Sequence, residues 1–472
     1  MATSRKSPRS QKPTSKARKK ASATDEAQTP PTLAGDRPVT NPDLFANSST
    51  TPVASPLPIF EASKILTQRD HLPWKPDPDG KLCYAPDIGN GQGAIYFWVT
   101  ENLEDEHPAT LAGAAALAVI ETFDIRAACM HLIFAAHATQ VERPWEQELV
   151  ISDRQIQAYL GLQQRTDKNR KEKLALIEEI AKQPCKITTY ISWPRQGKSK
   201  GFTIEEGRLW HLLGTRYHYQ YDLFGNQELV GMTFVVKAGL WAKYFLDDED
   251  GQAVRPQQGI LSKSLLKSVM GLWQHREGAA RLMVWLLFKT QLSRQNALNV
   301  KTLMEVAYGP QRIQAAYEDY QLRKKLASTW DDDLLALHDK GWKIQFDGDT
   351  YPVEIRPISF GREEISRRPR GFFETLMDAY LWISPPEAWI NHGLLPGEGA
   401  ATDTLLEPTP EAEKDGLTGT EVHHLRTEKG WSQRKLAALT GLSQGLISMI
   451  ENGTRSISPE NEETLRQVFD YM

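Results

Sequence analysis

Leu425-Arg426-Thr427-Glu428-Lys429-Gly430-Trp431-Ser432-Gln433-Arg434-Lys435-Leu436-Ala437-Ala438-Leu439-Thr440-Gly441-Leu442-Ser443-Gln444-Gly445-Leu446-Ile447-Ser448-Met449-Ile450-Glu451-Asn452-Gly453 is the stretch whose reading decides how the chain is organised. Its punctuation is that of short helices packed on one another. Val422 and Leu425 mark one helix, stopped by Gly430. Ser432 is placed to cap a second, which carries Leu436 and Leu439 and ends at Gly441. A hydroxyl at the N-cap accepts from an unpaired backbone N–H, and glycine turns left-handed without a Cβ clash. Ser443 stands at the head of a third helix, which carries Ile447 and Ile450 and ends at Gly453. Pro459 opens a fourth, with Leu465, Val468, Phe469 and Met472 on one face.

Two short helices joined by a glycine-containing turn make a helix-turn-helix. In that arrangement Ser443 to Glu451 enters the major groove with its N-terminal residues at the base edges. Leu417 to Met472 resembles the lambda-repressor-like (Cro/repressor, XRE) DNA-binding family. The resemblance implies that Gln433 binds a phosphate and braces a neighbour. It implies that Gln444 reads a base, since a side-chain amide pairs bidentately with adenine. Ser448 and Met449 would face the groove farther along, and Asn452, Thr454 and Arg455 would lie near the backbone. With Ser443 at the head of the helix, these complete the DNA-contacting set expected here. Arg426 and Glu451 match the family's interhelical ion pair. Gly445 departs from the family, which often has a base-reading side chain there, so direct readout is expected to be modest. The chain ends at the fourth helix, so the module is expected to be minimal and to lack the usual dimer surface.

The 472 residues suit two to four domains. The net charge of −4 excludes a polycation, so a nucleic-acid footprint must come from local patches. Cys83, Cys129 and Cys185 form no CxxC pair. That argues against structural zinc and a disulfide scaffold, and suits a reducing cytoplasm. No apolar run is long and clean enough to span a bilayer, and the basic N-terminus lacks the apolar core of a signal peptide.

Residues 1–58 are rich in Ser, Thr, Pro and Ala and read as a disordered basic arm, with eight cations from Arg5 to Lys20 before the first acid at Asp25. Such an arm either follows phosphates by counterion release or solubilises the chain. Residues 59–250 read as a first α+β, winged-helix-like domain. Ile95 to Val99 is a strand, and Ala109 to Gln140 holds one or two helices. His131 and His137 lack ligand spacing and read as core or surface residues. Ser152-Asp153 caps a short helix closed at Gly161. A longer helix follows, with Lys168, Arg170, Lys171 and Lys173 near its start. Lys186 to Trp193 alternates as a half-buried strand. Pro194 to Gly201 is then a hairpin tip with Arg195, Lys198 and Lys200 and no acid. That is what a DNA-contacting wing needs, and the alternative is a solvated basic loop.

Residues 251–390 read as a second winged-helix-like domain of similar order. An apolar helix spans Ala279 to Lys289, and a short helix spans Asn299 to Ala307. A long helical stretch from Gln311 carries Arg312. Asp331-Asp332-Asp333 reads as the start of a further turn or helix. Trp342 to Phe346 and Tyr351 to Ile355 flank Asp347-Gly348-Asp349 as a hairpin. Arg367-Arg368-Pro369-Arg370 precedes a last helix near Phe372 to Trp382. Residues 391–416 form a flexible linker spanning about 25–30 Å as a coil, and residues 417–472 form the terminal domain.

No phosphate-binding GxxxxGK[ST] loop and no His-x-His pair occurs, so no catalytic residue, metal ligand or cofactor is assigned and the chain reads as a non-enzyme. The fold class expected is α+β, with two winged-helix-like units, a disordered basic arm and an all-α terminal helix-turn-helix domain. The middle is similar in architecture to tandem winged-helix plasmid replication initiators. That similarity implies a cytoplasmic, nucleoid- or plasmid-associated protein that binds repeated sites in double-stranded DNA. Host replication proteins and a second copy of the chain are its further expected partners, and a membrane is not. Its alternatives are a transcriptional regulator whose middle senses a ligand or oligomerises, and a DNA-processing enzyme targeted by the terminal domain.

Overall fold

The computed structural model describes residues 32–33, 37–54, 56–88, 93–105, 108–194, 201–221, 225–246, 258–292, 297–363, 367–386, 419–429, 431–451, 457 and 459–470. The chain divides into two compact units, 1–396 and 397–472. The first mixes helices and sheets around one apolar core reaching from Leu44 to Ile383. The second is helical over its described residues and has its own core.

The first unit opens with β1 (Thr32–Leu33), β2 (Thr50–Ala54), α1 (Leu57–Gln68), β3 (Lys75–Pro76), β4 (Leu82–Cys83) and β5 (Ala94–Val99). Next come α2 (Gly113–Thr122), α3 (Ile125–Thr139), β6 (Leu149–Ser152), α4 (Asp153–Leu160) and α5 (Arg170–Lys182). Local chemistry sets these helices. Ser152 and Gln155 form a reciprocal capping box on α4, and Gly161 ends it at φ 72°. Asn169 and Glu172 repeat the box on α5. Four strands follow: β7 (Ile187–Trp193), β8 (Phe202–Arg208), β9 (Trp210–Tyr221) and β10 (Gln227–Ala238).

After α6 (Trp241–Leu246) come β11 (Gln258–Ser262), α7 (Lys263–Leu272), α8 (Glu277–Leu292), β12 (Leu298–Asn299) and α9 (Val300–Tyr308). The unit finishes with α10 (Pro310–Glu318), α11 (Tyr320–Asp339), β13 (Lys343–Phe346), α12 (Phe372–Asp378) and β14 (Tyr380–Ser384).

Two of the sheets share one strand order. In the first, β10 lies between β6 and β9, with β1 on the outer edge of β9. In the second, β14 lies between β12 and β13. In each, the strand before a short helix occupies one edge and the last strand inserts beside it, antiparallel to both neighbours. Each also follows the helix order long, short, basic-headed: α3, α4, α5 and then α8, α9, α10.

Several expectations are corrected. The hairpin β7–β8 forms, and its sheet partner is β5. The hairpin beside β6 is β9–β10. Trp342 to Phe346 does not pair with Tyr351 to Ile355. Pro352 lacks an N–H for a ladder, and Val353–Ile355 is a 3₁₀ turn. Tyr351 goes into the core instead, where its hydroxyl meets the Trp330 indole N–H at 3.2 Å. β13 pairs with β14. The last helix stops at Asp378, and the chain goes on as β14.

The long stretch from Gln311 is two helices, because Asp319 breaks it and caps α11 through the N–H groups of Gln321 and Leu322. Asp331-Asp332-Asp333 does not start a helix. It lies inside α11, with Asp331 held by Arg368, Asp332 by Arg276 at 2.9 Å and Asp333 by the Tyr308 hydroxyl at 2.6 Å.

The arm expected to reach residue 58 is folded over its described residues, and β1 pairs parallel with β9. Asn41 accepts from the Val150 N–H at 2.6 Å, and β2 pairs antiparallel with β11. Stretches 59–250 and 251–390 share one core, in which Phe60 of α1 lies 5.1 Å from Phe288 of α8. Residues 1–31 of the arm and the linker 391–416 lie outside the described residues. No helix among the described residues is long and apolar enough to cross a membrane.

Candidate nucleic-acid interface

The terminal unit is built from α13 (Gly419–Glu428), α14 (Gln433–Thr440), α15 (Gln444–Glu451) and α16 (Pro459–Asp470). Ser432 caps α14 by accepting from the Lys435 N–H, and Gly441 ends it at φ 70°. The Ser443 hydroxyl accepts from the Leu446 N–H at 3.2 Å and so heads α15. Val422, Leu436, Ile447, Ile450 and Leu465 fill the core, and Trp431 stacks on Phe469 at 6.1 Å. Burying this face turns the opposite side of α15 outward.

One ionic cluster ties α13 to α15. Arg426 Nε meets Glu451 Oε1 at 2.6 Å, and Nη2 meets Oε2 at 2.8 Å. Arg426 Nη1 also donates to the Trp431 carbonyl at 2.7 Å. Gln433 Nε2 donates to Glu451 Oε2 at 3.0 Å, and His423 Nδ1 lies 3.1 Å from the same oxygen. Burial works against charge on Glu451, but hydrogen bonds from Arg426, Gln433 and His423, with the Arg426 charge, bring its pKa down to about 2. The expected ion pair is therefore present. The bracing contact expected of Gln433 is its bond to Glu451.

On the outward face Ser443, Gln444 and Gly445 are exposed, and Ser448 is half-buried. Gln444, in the first turn of α15, carries an exposed amide with no hydrogen-bond partner among the described residues, as base reading requires. No Cβ contact within 4 Å constrains Gly445. Met449 lies on α15. Asn452, Thr454 and Arg455 lie outside the described residues.

In the first unit, Arg170 and Lys171 are exposed on the first turn of α5 and Lys168 is half-buried ahead of its cap. Arg312 is exposed on α10, its guanidinium 5.6 Å from the Tyr308 ring centre. Arg195, Lys198 and Lys200 lie outside the described residues. The fold also gathers cations that no local run signals. Burial, and then the charges of Arg154 and Arg170, push the pKa of Arg37 down against the pull of Asp153. Arg37, Arg154 and Arg216 act together on His218 of β9, whose pKa burial lowers first. These arginines are scattered from residue 37 to 216, so only the packing of α4 and α5 on β9–β10 unites them.

Residues 422–470 match the family model described as Helix-turn-helix. The terminal unit is thus a helix-turn-helix domain of the XRE type, in agreement with its caps and core. No curated protein matches the chain. Among solved structures, domains 2 and 3 of RctB align with 69% of this chain and 98% of theirs, at 9% identity and TM-score 0.35. A second structure of RctB domains 2–3 aligns with 61% and 84%, at 9% identity and TM-score 0.30. Likeness of that size fixes neither fold nor function.

Proposed function

We infer that this chain is a sequence-specific double-stranded DNA-binding protein, and of the kind that initiates plasmid replication at repeated origin sites. The observation that carries DNA binding is the outward face of α15. Ser443, Gln444 and Gly445 are exposed there, while Ile447, Ile450 and Glu451 anchor the opposite side. A helix presented in this way offers its first turn to base edges in the major groove. Support for a second reader in the middle comes from the repeated strand order and from the cations Arg154, Arg170, Lys171 and Arg216 around the first copy. In a winged-helix reading α5 and α10 take the recognition position, with Lys168 just ahead of α5 and Arg312 on the first turn of α10, and β9–β10 takes the place of the first wing. The chain acts by binding and assembly, without catalysis, in the cytoplasm, and host replication proteins or a second copy would join it on DNA.

A footprint on DNA selected from the native replicon, comparing the full chain with one stopped at Leu394, tests both levels. Protection of long, repeated, directly oriented sites by the shortened chain supports the initiator. Loss of protection with the terminal domain, or one short palindrome seen only by the full chain, makes the middle a sensor or assembly domain and the protein a regulator. No protection by either chain refutes DNA binding.

A further inference from the structure

A groove of about 1350 Å³ runs along α11 from Tyr320 to Leu335, facing residues 357–362 and 367–372. Its basic lining is Arg323, Lys324, Arg362, Arg367, Arg368 and Arg370, and the carboxylates among its described lining are Asp331 and Asp332. Both carboxylates are engaged, Asp331 by Arg368 and Arg362 and Asp332 by Arg276. Three of the cations are structural. Arg323 donates to the carbonyls of Ala316 and Tyr317, closing the end of α10. Arg362 donates to the Arg356 carbonyl and Arg368 to that of Ile355. The ion pairs of Arg362 and Arg368 with Asp331 fasten their wall to α11. Lys324, Arg367 and Arg370 are left exposed, with no hydrogen-bond or ion-pair partner among the described residues. Tyr320, 64% exposed, adds a flat apolar face.

Three unpaired cations on two fastened walls repel one another unless an anion joins them. They belong to different elements, so a chain of evenly spaced phosphates meets them better than one isolated phosphate. We propose that this groove seats the phosphodiester backbone of DNA. The site is separate from α15 and from the helix starts at Lys168 and Arg312, and it rests only on the chain being a DNA-binding protein. A duplex and a single strand share this chemistry. An unpaired base would in addition stack on Tyr320.

The test uses the full chain and a variant with Lys324→Ala, Arg367→Ala and Arg370→Ala. Fluorescence anisotropy follows binding to a labelled duplex and to its labelled single strand across a salt series. Each phosphate contact contributes about 0.9 to the log–log salt slope for duplex and about 0.7 for single strand. The variant is therefore expected to lose about two to three from the slope with the DNA form that the groove holds. Tyr320→Ala is expected to weaken only single-strand binding, several-fold, if that form is the ligand. The charge-keeping pair Arg367→Lys and Arg370→Lys should retain the slope. If it loses the slope too, charge is not the cause and the proposal falls. An unchanged slope in the alanine variant, with Gln444→Ala still weakening site preference, overturns the groove and leaves the DNA-binding reading standing. Failure of the unaltered chain to bind either DNA overturns both.

Discussion

Trp210 donates its indole N–H to Nδ1 of His131 at 2.9 Å, so His131 keeps its own proton on Nε2 and gives it to the Ile59 carbonyl at 3.0 Å. One neutral imidazole thereby joins β9, α3 and α1 inside the core. A proton on Nδ1 would break the Trp210 bond. Burial, opposed by the Ile59 bond, pushes the pKa of His131 down to about 4, and burial opposed by Asp43 does the same to His137. Unfolded histidine titrates near 6.5. Between pH 6.5 and 4 the unfolded chain binds more protons than the folded one. Stability is therefore full above pH 6.5 and falls as pH drops through that window, by up to about 1.4 kcal/mol per pH unit for each histidine. Urea unfolding followed by tryptophan fluorescence at pH 5 and pH 7 checks this, and His131→Gln should show a shallower dependence.

Glu451 is held in its charged form, whereas His131 and His137 are held neutral. Its side chain is 1% exposed, and its pKa of about 2 lies below the ordinary 4.5. The stability it contributes is present above pH 4.5 and is lost as pH falls from 4.5 toward 2. Glu451→Ala leaves Arg426 without its buried partner and should cost about 3–5 kcal/mol. That is enough to unfold a unit of this size. Hydrogen exchange in the full chain should then rise across α13 to α16 while protection in the first unit is retained. Unchanged exchange in α13 and α15 would mean that the apolar core alone sets their angle.

Gln444→Ala should weaken specific binding by about 1–3 kcal/mol if the amide reads a base. Competition between the selected site and an altered one measures it. Unchanged preference between the two would assign readout elsewhere.

Gly445 has no neighbour within 4 Å of the position a Cβ would take. Gly445→Ala should stabilise α15 by about 1 kcal/mol through reduced backbone entropy of the unfolded chain. A raised melting temperature of the terminal unit checks it, and a lowered one would reveal crowding at that face.

Tyr308 holds Asp333 across the packing of α9 on α11 at 2.6 Å, and both side chains are buried. Burial, and then the Asp333 charge, push the tyrosine pKa well above its usual 10. Tyr308→Phe removes a hydrogen-bond donor from a buried carboxyl group. The expected cost is about 1–3 kcal/mol, read from the urea midpoint of the first unit. An unaltered midpoint would show that water replaces the hydroxyl.

Legibility followed the range of the signal. Ser152 with Gly161, and Ser432 with Gly441, announce helix ends within a few residues, because capping is chemistry between near neighbours. The Arg426–Glu451 pair was legible only through family resemblance, since the two lie 25 positions apart. The hairpin expected around Asp347-Gly348-Asp349 failed because its turn signal is local, whereas the strand partner is chosen by burial. Tyr351 gains more in the core against Trp330 than it would on a ladder that Pro352 interrupts.

By itself, the sequence determined that the last residues form a helix-turn-helix domain, that the middle alternates helices with strands, and that His131 and His137 carry no ligand spacing. Tertiary structure alone decided that β10 inserts beside β6 and β14 beside β12, and that buried residues from Leu44 to Ile383 share one core. It also decided where Arg37, Arg154, Arg170 and Arg216 meet, and that Lys324, Arg367 and Arg370 face one groove. The reason is physical. Caps, turns and amphipathic periods are set by interactions within one or two turns of chain. Strand pairing and charge clusters are set by which distant surfaces exclude water together, and no short window of sequence records that choice.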